Sequence, residues 1–397
     1  MEYRLLGECV ETVIDHRGLT PKKLQGDWSQ VGYRAISAKN IKNGMLVNEG
    51  SMKRVDSVLY KRWMTEEIER GSIFITSEAP FGEVLYWDSD EKLVLSQRVF
   101  GLKARSSICD ARYLYYWMRC PYFQRELMGR STGTTVTGLR QPELLKCAVA
   151  VPDLEVQKKM ACALSIIDRK IALNNRLNDY LATACEALVE IMNVDGTTTL
   201  ADISSQVNVK TACGAATIDS YVSTESLLPD KGGRQTASAL PTAGKVTVYQ
   251  PEDTLVSNIR PYFKKVWYAD RVGTCSSDVI VFRAKEPELA PYLYSVLRSD
   301  SYFDHVMAGA KGTKMPRGDK RQMMQYPVAS DCNEEELKIL TSMVNQISAN
   351  NRENDRLSEL RDALLPKLMS GETDVSKIEL PTQPNNHLED YSAQSYR

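Results

Sequence analysis

The sequence predicts an α+β chain in which two mixed α/β globules are each followed by one long helix. The two helices are expected to pair as an antiparallel coiled coil, giving the chain an internal pseudo-two-fold repeat. Three observations carry this expectation. First, Asn174-Asn175-Arg176-Leu177-Asn178-Asp179 returns as Asn350-Asn351-Arg352-Glu353-Asn354-Asp355, an offset of 176 with five of six positions identical. Second, the copies are collinear. Met128 to Thr134 (MGRSTGT) answers Met307 to Thr313 (MAGAKGT) at 179, and Tyr122-Phe123 answers Tyr302-Phe303 at 180. Ile73 to Thr76 before Pro80-Phe81 answers Thr254 to Ser257 before Pro261-Tyr262 at 181. Third, a heptad seam closes each copy.

At 397 residues and 44.7 kDa the chain exceeds one ordinary core and suits two domains with connecting elements. Hydrophobic residues at 43% and charged residues at 25% are globular proportions. In chain order, residues 1–152 form the first globule, 153–195 a central helix, 196–331 the second globule, 332–371 a distal helix and 372–397 a flexible tail. Asp153 is positioned as N-cap of the central helix and Gly196 as its end. Its seam runs Met160, Leu164, Ile167, Ile171, Asn174, Asn178, Leu181, Cys185 and Leu188, alternating steps of four and three.

The distal helix has the same rhythm in Leu340, Met343, Ile347, Asn350, Asn354, Leu357, Arg361, Leu364 and Leu368. Glu334, Glu335 and Glu336 place negative charge at its positive end, and Gly371 closes it. Each seam carries two asparagines at its middle. An antiparallel pairing sets the repeated pairs opposite one another, where each amide meets another polar group; asparagines facing solvent are the alternative. Beyond Glu372 the polar run Thr382-Gln383-Pro384-Asn385-Asn386 reads as a tail.

Catalytic raw material is scarce. Three histidines (16, 305, 387) supply almost nothing for metal sites or His-dependent triads, so neither a metal ligand set nor a catalytic residue is assigned. GxxxxGK[ST] and GxGxxG loops are absent, as is the Asn/Asp-Pro-Pro-aromatic tetrapeptide of amino-methyltransferases. Pro152-Asp153 with Glu155 and Lys158 lacks the second acid of a PD-(D/E)xK nuclease, because position 156 is Val. Nine cysteines, none within ten positions of another, fit neither a zinc ribbon nor a disulfide framework. A charged N-terminus and the lack of an apolar run of eighteen point to the cytoplasm and away from membranes.

The net charge of −1 means that nucleic-acid binding must come from local patches. Between His305 and Arg321, Lys311, Lys314, Arg317, Lys320 and Arg321 face Asp319 alone; between Leu255 and Arg271, Arg260, Lys264, Lys265 and Arg271 face Asp270. Basic residues interleaved with Gly, Thr and Asn suit phosphate and base-edge contacts, which singles out Asn258, Arg260, Lys264, Lys311, Thr313, Lys314 and Arg317. In the first globule the matching loop supplies Arg130, Thr132, Thr134 and Thr135, joined by Lys39, Asn40 and Arg98. Two such readers on a rigid spacer suit a bipartite target on duplex DNA.

Pro152-x-Leu154-x-x-Gln157-x-x-Met160-Ala161-x-x-Leu164-x-x-Ile167-Asp168-x-Lys170-Ile171 resembles the helix entry of the specificity (S) subunits of type I restriction-modification enzymes. Leu360 to Glu372 resembles their C-terminal ending, and Val256 to Lys265 a stretch of their second recognition domain. The resemblance covers residues 1 to about 372 and implies two target-recognition domains, each reading one half of a split double-stranded DNA sequence. It also implies that the paired helices set the spacing and dock two methyltransferase subunits, through Gln157, Ile167, Ile171, Asn174, Asn178, Ile347, Asn350, Asn354 and Leu364. A restriction/translocase subunit would complete the complex. S-adenosylmethionine, ATP and Mg are then expected on partner subunits, with no cofactor bound by this chain. The second helix entry, Ser330-Asp331-Cys332-Asn333-Glu334, departs from the pattern by lacking the Pro and Gln of the first. A coiled-coil scaffold for protein partners, or a DNA-modifying enzyme with an unrecognised site, are the rival readings.

Overall fold

The computed structural model describes residues 2–132, 137–192, 194, 197–329, 332–373 and 375. The chain divides into two compact units, residues 1–169 with 357–397, and residues 170–356. The division falls inside both long helices rather than at their ends, because each helix half is packed into the core of one globule.

The first unit begins with β1 (Tyr3–Leu5), the single turn α1 (Leu6–Cys9) and β2 (Val10–Asp15). It continues through β3 (Tyr33–Ile36), a small ribbon of β4 (Ile41–Lys42) and β5 (Met45–Leu46), β6 (Lys53–Val55) and α2 (Ser57–Trp63). Next come β7 (Ile73–Thr76), β8 (Val84–Tyr86), β9 (Val94–Leu95) and β10 (Val99–Ala104). α3 (Ala111–Arg119), α4 (Pro121–Gly129), α5 (Gln141–Leu144) and β11 (Ala148–Ala150) lead into the long helix α6 (Leu154–Ile191). The main sheet has the order β2-β10-β7-β8, and its inner strand β7 is buried at every position, as an unbroken Ile-Phe-Ile-Thr run requires. α3 is started by Asp110, whose carboxylate accepts from Tyr113 N–H at 2.9 Å. It then buries Tyr113, Leu114, Tyr116 and Trp117 in one core with Phe100, Phe123 and Leu164. Polar tips in that core are satisfied: Tyr113 Oη donates to Ala150 O at 2.8 Å and Trp117 Nε1 to Ala148 O at 2.9 Å. A second sheet, β6-β3-β9, covers a separate core around Ile36, Trp63 and Leu95.

The second unit holds α7 (Leu200–Ile203), β12 (Ser204–Gln206), β13 (Lys210–Ala212), β14 (Tyr221–Val222), β15 (Lys245–Tyr249) and β16 (Thr254–Ser257). β17 (Val266–Tyr268), β18 (Gly273–Cys275) and β19 (Val279–Ala284) follow, then α8 (Ala290–Arg298), α9 (Asp300–Ala308), α10 (Lys320–Met324) and the long helix α11 (Glu334–Ser370). Its sheet order β12-β19-β16-β17 reproduces β2-β10-β7-β8 strand for strand. The joints repeat too: Leu6 N–H donates to Cys147 O at 2.8 Å and Leu200 N–H to Tyr326 O at 2.9 Å, while Arg105 N–H meets Cys9 O at 2.8 Å and Lys285 N–H meets Ile203 O at 2.9 Å. The copies diverge in the second sheet, where β13-β15-β18-β14 replaces β6-β3-β9.

α6 has 38 residues and α11 has 37, so each spans about 55 Å at 1.5 Å per residue. In the first unit Met160, Ala161 and Leu164 share a core with Leu365, Leu368 and Met369. In the second, Cys185 and Met192 share one with Leu340 and Val344, so the helices run antiparallel. The middle asparagines face inward, and their amides interlock: Asn174 Nδ2 donates to Asn354 Oδ1 at 2.9 Å and Asn350 Nδ2 to Asn178 Oδ1 at 2.8 Å. Asn178 Nδ2 reaches Asn351 Oδ1 at 2.9 Å and Asn354 Nδ2 reaches Asn175 Oδ1 at 2.8 Å, so each of these four bonds has a two-fold mate. Arg361, an oddity in an apolar seam, pairs with Asp168 at 3.0 Å, and Asp168 also accepts from Tyr116 Oη at 2.7 Å.

Gly371 adopts φ 78° and ends α11 as its sequence position implied. The chain remains packed past that point, since Val375 is buried in the first core, so the tail expected from 372 does not begin there. Gly196 and residues 376–397 lie outside the described residues.

Candidate nucleic-acid interface

The two loops that sequence reasoning matched across the repeat are one construction built twice. After α4, Thr132 and Gly138 exchange both backbone hydrogen bonds at 2.9 Å; after α9, Lys311 and Arg317 do the same at 2.9 Å. Each hairpin then hangs on the loop that leaves the inner strand of the main sheet. Leu139 N–H donates to Ser77 O at 3.0 Å, and Gly318 N–H to Asn258 O at 3.2 Å. Ser77 N–H in turn meets Arg98 O, and Asn258 N–H meets Asp278 O, both at 2.8 Å. Gly318 is needed for this seating: a Cβ there would stand 2.2 Å from the Met323 methyl and 3.1 Å from Asn258 Oδ1.

Left-handed backbone marks the same loops. Ala79 (φ 44°), Arg98 (φ 65°), Arg260 (φ 51°) and Lys264 (φ 49°) all lie at positive φ without being glycine, a conformation costing about 1–3 kcal/mol that clusters at functional sites. In the second copy two buried polar atoms, Asn258 Oδ1 and Arg260 Nε, have no hydrogen-bond partner among the described residues. They are two of ten such atoms among the described residues, and they set an unpaired acceptor and an unpaired donor two residues apart in this loop.

The cations of the second copy are mostly held by carboxylates close by. Lys311 Nζ sits 3.0 Å from Asp319, Arg317 3.2 Å from Asp278 and Lys264 2.9 Å from Asp300. Hydrogen bonds from Lys311 and from the Arg321 and Gln322 amides hold the Asp319 carboxyl below its usual range. Lys231 and Lys264 hold Asp300 down to about 2. Lys314 and Thr313 are exposed, and Lys314 makes no ion pair among the described residues. In the first copy, Arg130 pairs with Glu126 at 2.8 Å and Arg98 with Glu78 at 3.1 Å, while Thr132 is exposed. Thr134 and Thr135 lie outside the described residues.

Lys39 is exposed, but its neighbour Asn40 is fully buried. Asn40 Oδ1 accepts from Ser37 Oγ at 2.8 Å and its Nδ2 donates to Val47 O at 3.2 Å, so Asn40 braces the β4–β5 ribbon instead of presenting its amide to a ligand. Gln157 is likewise internal: Oε1 accepts from Asp110 N–H at 2.8 Å, and Nε2 donates to Pro152 O at 2.7 Å and Ile108 O at 3.0 Å. Ile167, Asn174, Ile347 and Asn350 are buried. Ile171, Asn178, Asn354 and Leu364 are half-buried. Gln157 and the four buried residues are therefore internal, while the four half-buried ones remain partly open to solvent. Within the second unit Leu173, Leu177 and Tyr180 stand 55%, 42% and 60% exposed on the outer face of α6. Sequence reasoning passed over them, although their spacing of four and three is a second heptad stripe. The equivalent positions of α11, offset by 176, are Ala349, Glu353 and Arg356.

Against known families, residues 1–183 match the type I restriction modification DNA specificity domain. This segment of the chain is thus similar to that specificity domain. The matched segment holds the first hairpin, its supporting sheet and most of α6. The specificity subunit of the type I restriction enzyme MjaVIII from Methanocaldococcus jannaschii is 31% identical over 105 residues, which is 26% of this chain and 25% of that protein. The matched region thus spans about a quarter of that curated relative. Among solved structures, a type I restriction-modification S subunit from M. genitalium aligns over 92% of this chain and 95% of its own, at 15% identity and a TM-score of 0.47. The HsdS subunit from Thermoanaerobacter tengcongensis aligns over 94% and 97%, at 14% identity and a TM-score of 0.37. The sheet and the backbone joints of the matched segment recur in residues 197–329. Among the described residues no group of three His, Cys, Asp or Glu is arranged to hold a metal, and no helix is long and apolar enough to cross a membrane.

Proposed function

We propose that this chain is the DNA sequence-recognition subunit of a type I restriction-modification complex, with each globule reading one half of a bipartite duplex target. The observation that carries the reading is the doubled hairpin. The same backbone joints occur in a matched specificity domain and again in the second copy. The surrounding positive-φ residues and the orphan polar atoms at Asn258 and Arg260 add support, since a DNA groove supplies both acceptors and donors. The globules differ in their second sheets, which suits two readers of different half-sites.

In this reading the paired helices set the distance between half-sites and dock two methyltransferase subunits, and a restriction/translocase subunit joins the assembly. The exposed Leu173-Leu177-Tyr180 stripe is the docking surface on α6, and its polar counterpart on α11 makes the two docking events unequal. The chain itself is non-catalytic. S-adenosylmethionine, ATP and Mg belong to the partner subunits, and the complex works in the cytoplasm. Methylation-sensitive sequencing of a host carrying the chain with its partner subunits is the test. Modification at one split sequence supports the reading. Modification by the purified chain alone would make it an enzyme, and salt-insensitive function without a DNA footprint would make it a scaffold.

A further inference from the structure

The second globule shares a core with both long helices, and one short loop, Pro229-Asp230-Lys231-Gly232-Gly233-Arg234, adds polar anchors to each of them. Lys231 Nζ lies 2.8 Å from Glu186 on α6, and Arg298 at the end of α8 meets the same carboxylate at 2.9 Å. Arg298 also donates to Lys231 O at 2.7 Å. Three residues further on, Arg234 lies over the Trp267 ring, 5.2 Å from its centroid, and 4.0 Å from Asp355 on α11. Arg271 completes that cluster by donating to Asp355 at 2.7 Å. The Lys231 and Arg234 side chains are only 11% and 9% exposed, and the Lys231–Glu186 pair is largely withdrawn from solvent, whereas Asp355 is 54% exposed.

The loop is stiff and joined to the candidate reading surface. Asp230, Lys231 and Gly233 all hold positive φ (53°, 61° and 77°). Asp230 N–H donates to Phe263 O at 2.8 Å and Lys231 N–H to Lys264 O at 2.9 Å, which ties the loop to the turn that follows Asn258 and Arg260. An unbroken mechanical path therefore runs from Glu186 on α6 through Lys231 and the 261–264 turn to the reading loop. The anchor on α11 is Asp355, the last residue of the repeated Asn-Asn-Arg-x-Asn-Asp motif.

Resting on the DNA-recognition reading above, we infer that the 229–234 loop is a strap that fixes the angle of the second globule on the helix pair and so narrows the gap lengths this chain accepts. Changing a gap by one base pair moves a half-site by about 3.4 Å and turns it by about 34° around the duplex. A globule pinned to both helices by these polar anchors in addition to the shared core follows that motion less readily than one held by the core alone. Lys231, Arg234, Glu186 and Asp355 are thus positioning residues for spacing, with no role in the half-site sequence.

The test is methylome sequencing of hosts carrying the full complex with Lys231→Met/Arg234→Met, or with the shape-conserving pair Glu186→Gln/Asp355→Asn, alongside Lys231→Arg. Thermal unfolding of each chain reports folding. The expected result is the same two half-sites, with modification spreading to gaps one base pair shorter or longer and the off-gap to on-gap ratio rising about tenfold, while Lys231→Arg keeps the parental ratio. Parental gap discrimination in the folded Gln/Asn variant overturns the strap. Loss of modification at every gap in that variant also overturns it, since the contacts would then hold the reader together instead of aiming it. A parent complex that modifies no specific sequence removes the DNA-recognition premise, and one that modifies an unsplit sequence removes its bipartite part, outcomes distinct from both.

Discussion

Asn350 donates its side-chain amide to Asn178 Oδ1 at 2.8 Å although the two residues are 172 positions apart. The mirrored bond from Asn174 to Asn354 gives the helix pair one register in which both repeats of the asparagine motif are satisfied. A slip by one heptad would place these amides against apolar seam residues, which is how buried asparagines select register at some cost in stability.

Replacing Asn350 alone with Leu leaves the Asn178 amide oxygen without its donor and is expected to destabilise the chain by about 1–3 kcal/mol. Replacing Asn178 as well removes both partners, so stability should recover while register loosens. Urea unfolding measures the first effect. Cysteine cross-linking along the seam, with one product in the parent and several in the double variant, measures the second.

Lys314 and Lys311 should differ as DNA contacts. Lys314→Ala removes one unpaired cation and should flatten the log-affinity against log-salt slope by about 0.9. Lys311→Ala also bares Asp319, which pairs with it at 3.0 Å, and so should weaken binding further. Adding Asp319→Asn should return the loss to the Lys314→Ala level. Salt titrations of the assembled complex read all three.

Asp300 gives the second unit a defined acid limit. Its carboxyl is held to about 2 by Lys231 and Lys264, against about 3.9 for an unfolded aspartate. A depressed carboxylate contributes stability that is complete above the unfolded value and is lost as pH falls through the folded one. The carboxylate is largely exposed, so the contribution is reduced by solvent screening. Between pH 4 and pH 2 the parent should therefore lose more stability than Asp300→Asn, as read by denaturant midpoints at several pH values.

On the proposed reading, the α6 stripe predicts unequal docking of methyltransferase subunits. Leu177→Asp should abolish association with one methyltransferase subunit, whereas Ala349→Asp on α11 should leave it intact. Sedimentation of the chain with its methyltransferase subunit at rising ratios separates one bound copy from two.

The helices and the repeat were legible in the sequence because they rest on periodicity and identity. The seam from Met160 to Leu188 is buried or half-buried as its spacing implied, and the asparagines meet as the antiparallel pairing required. What stayed hidden depends on long-range contact. Gln157 and Asn40 read as surface groups, yet both are internal braces whose partners are mostly backbone atoms, and backbone atoms leave no mark in composition. The carboxylates that hold Arg317 and Arg98, Asp278 and Glu78, lie on other segments, so a local charge count overstated the free positive charge of the hairpins. Val375 lies in a segment dismissed as tail because one buried Val in a polar run gives no periodic signal.

The central claim is that each globule reads its own half of the target. Exchanging residues 196–331 for the corresponding segment of a related chain, followed by methylome sequencing of the hybrid complex, tests it most directly. The account predicts that one half-site changes while the other half-site remains as in the parent. A hybrid that altered both half-sites, or neither, would contradict it.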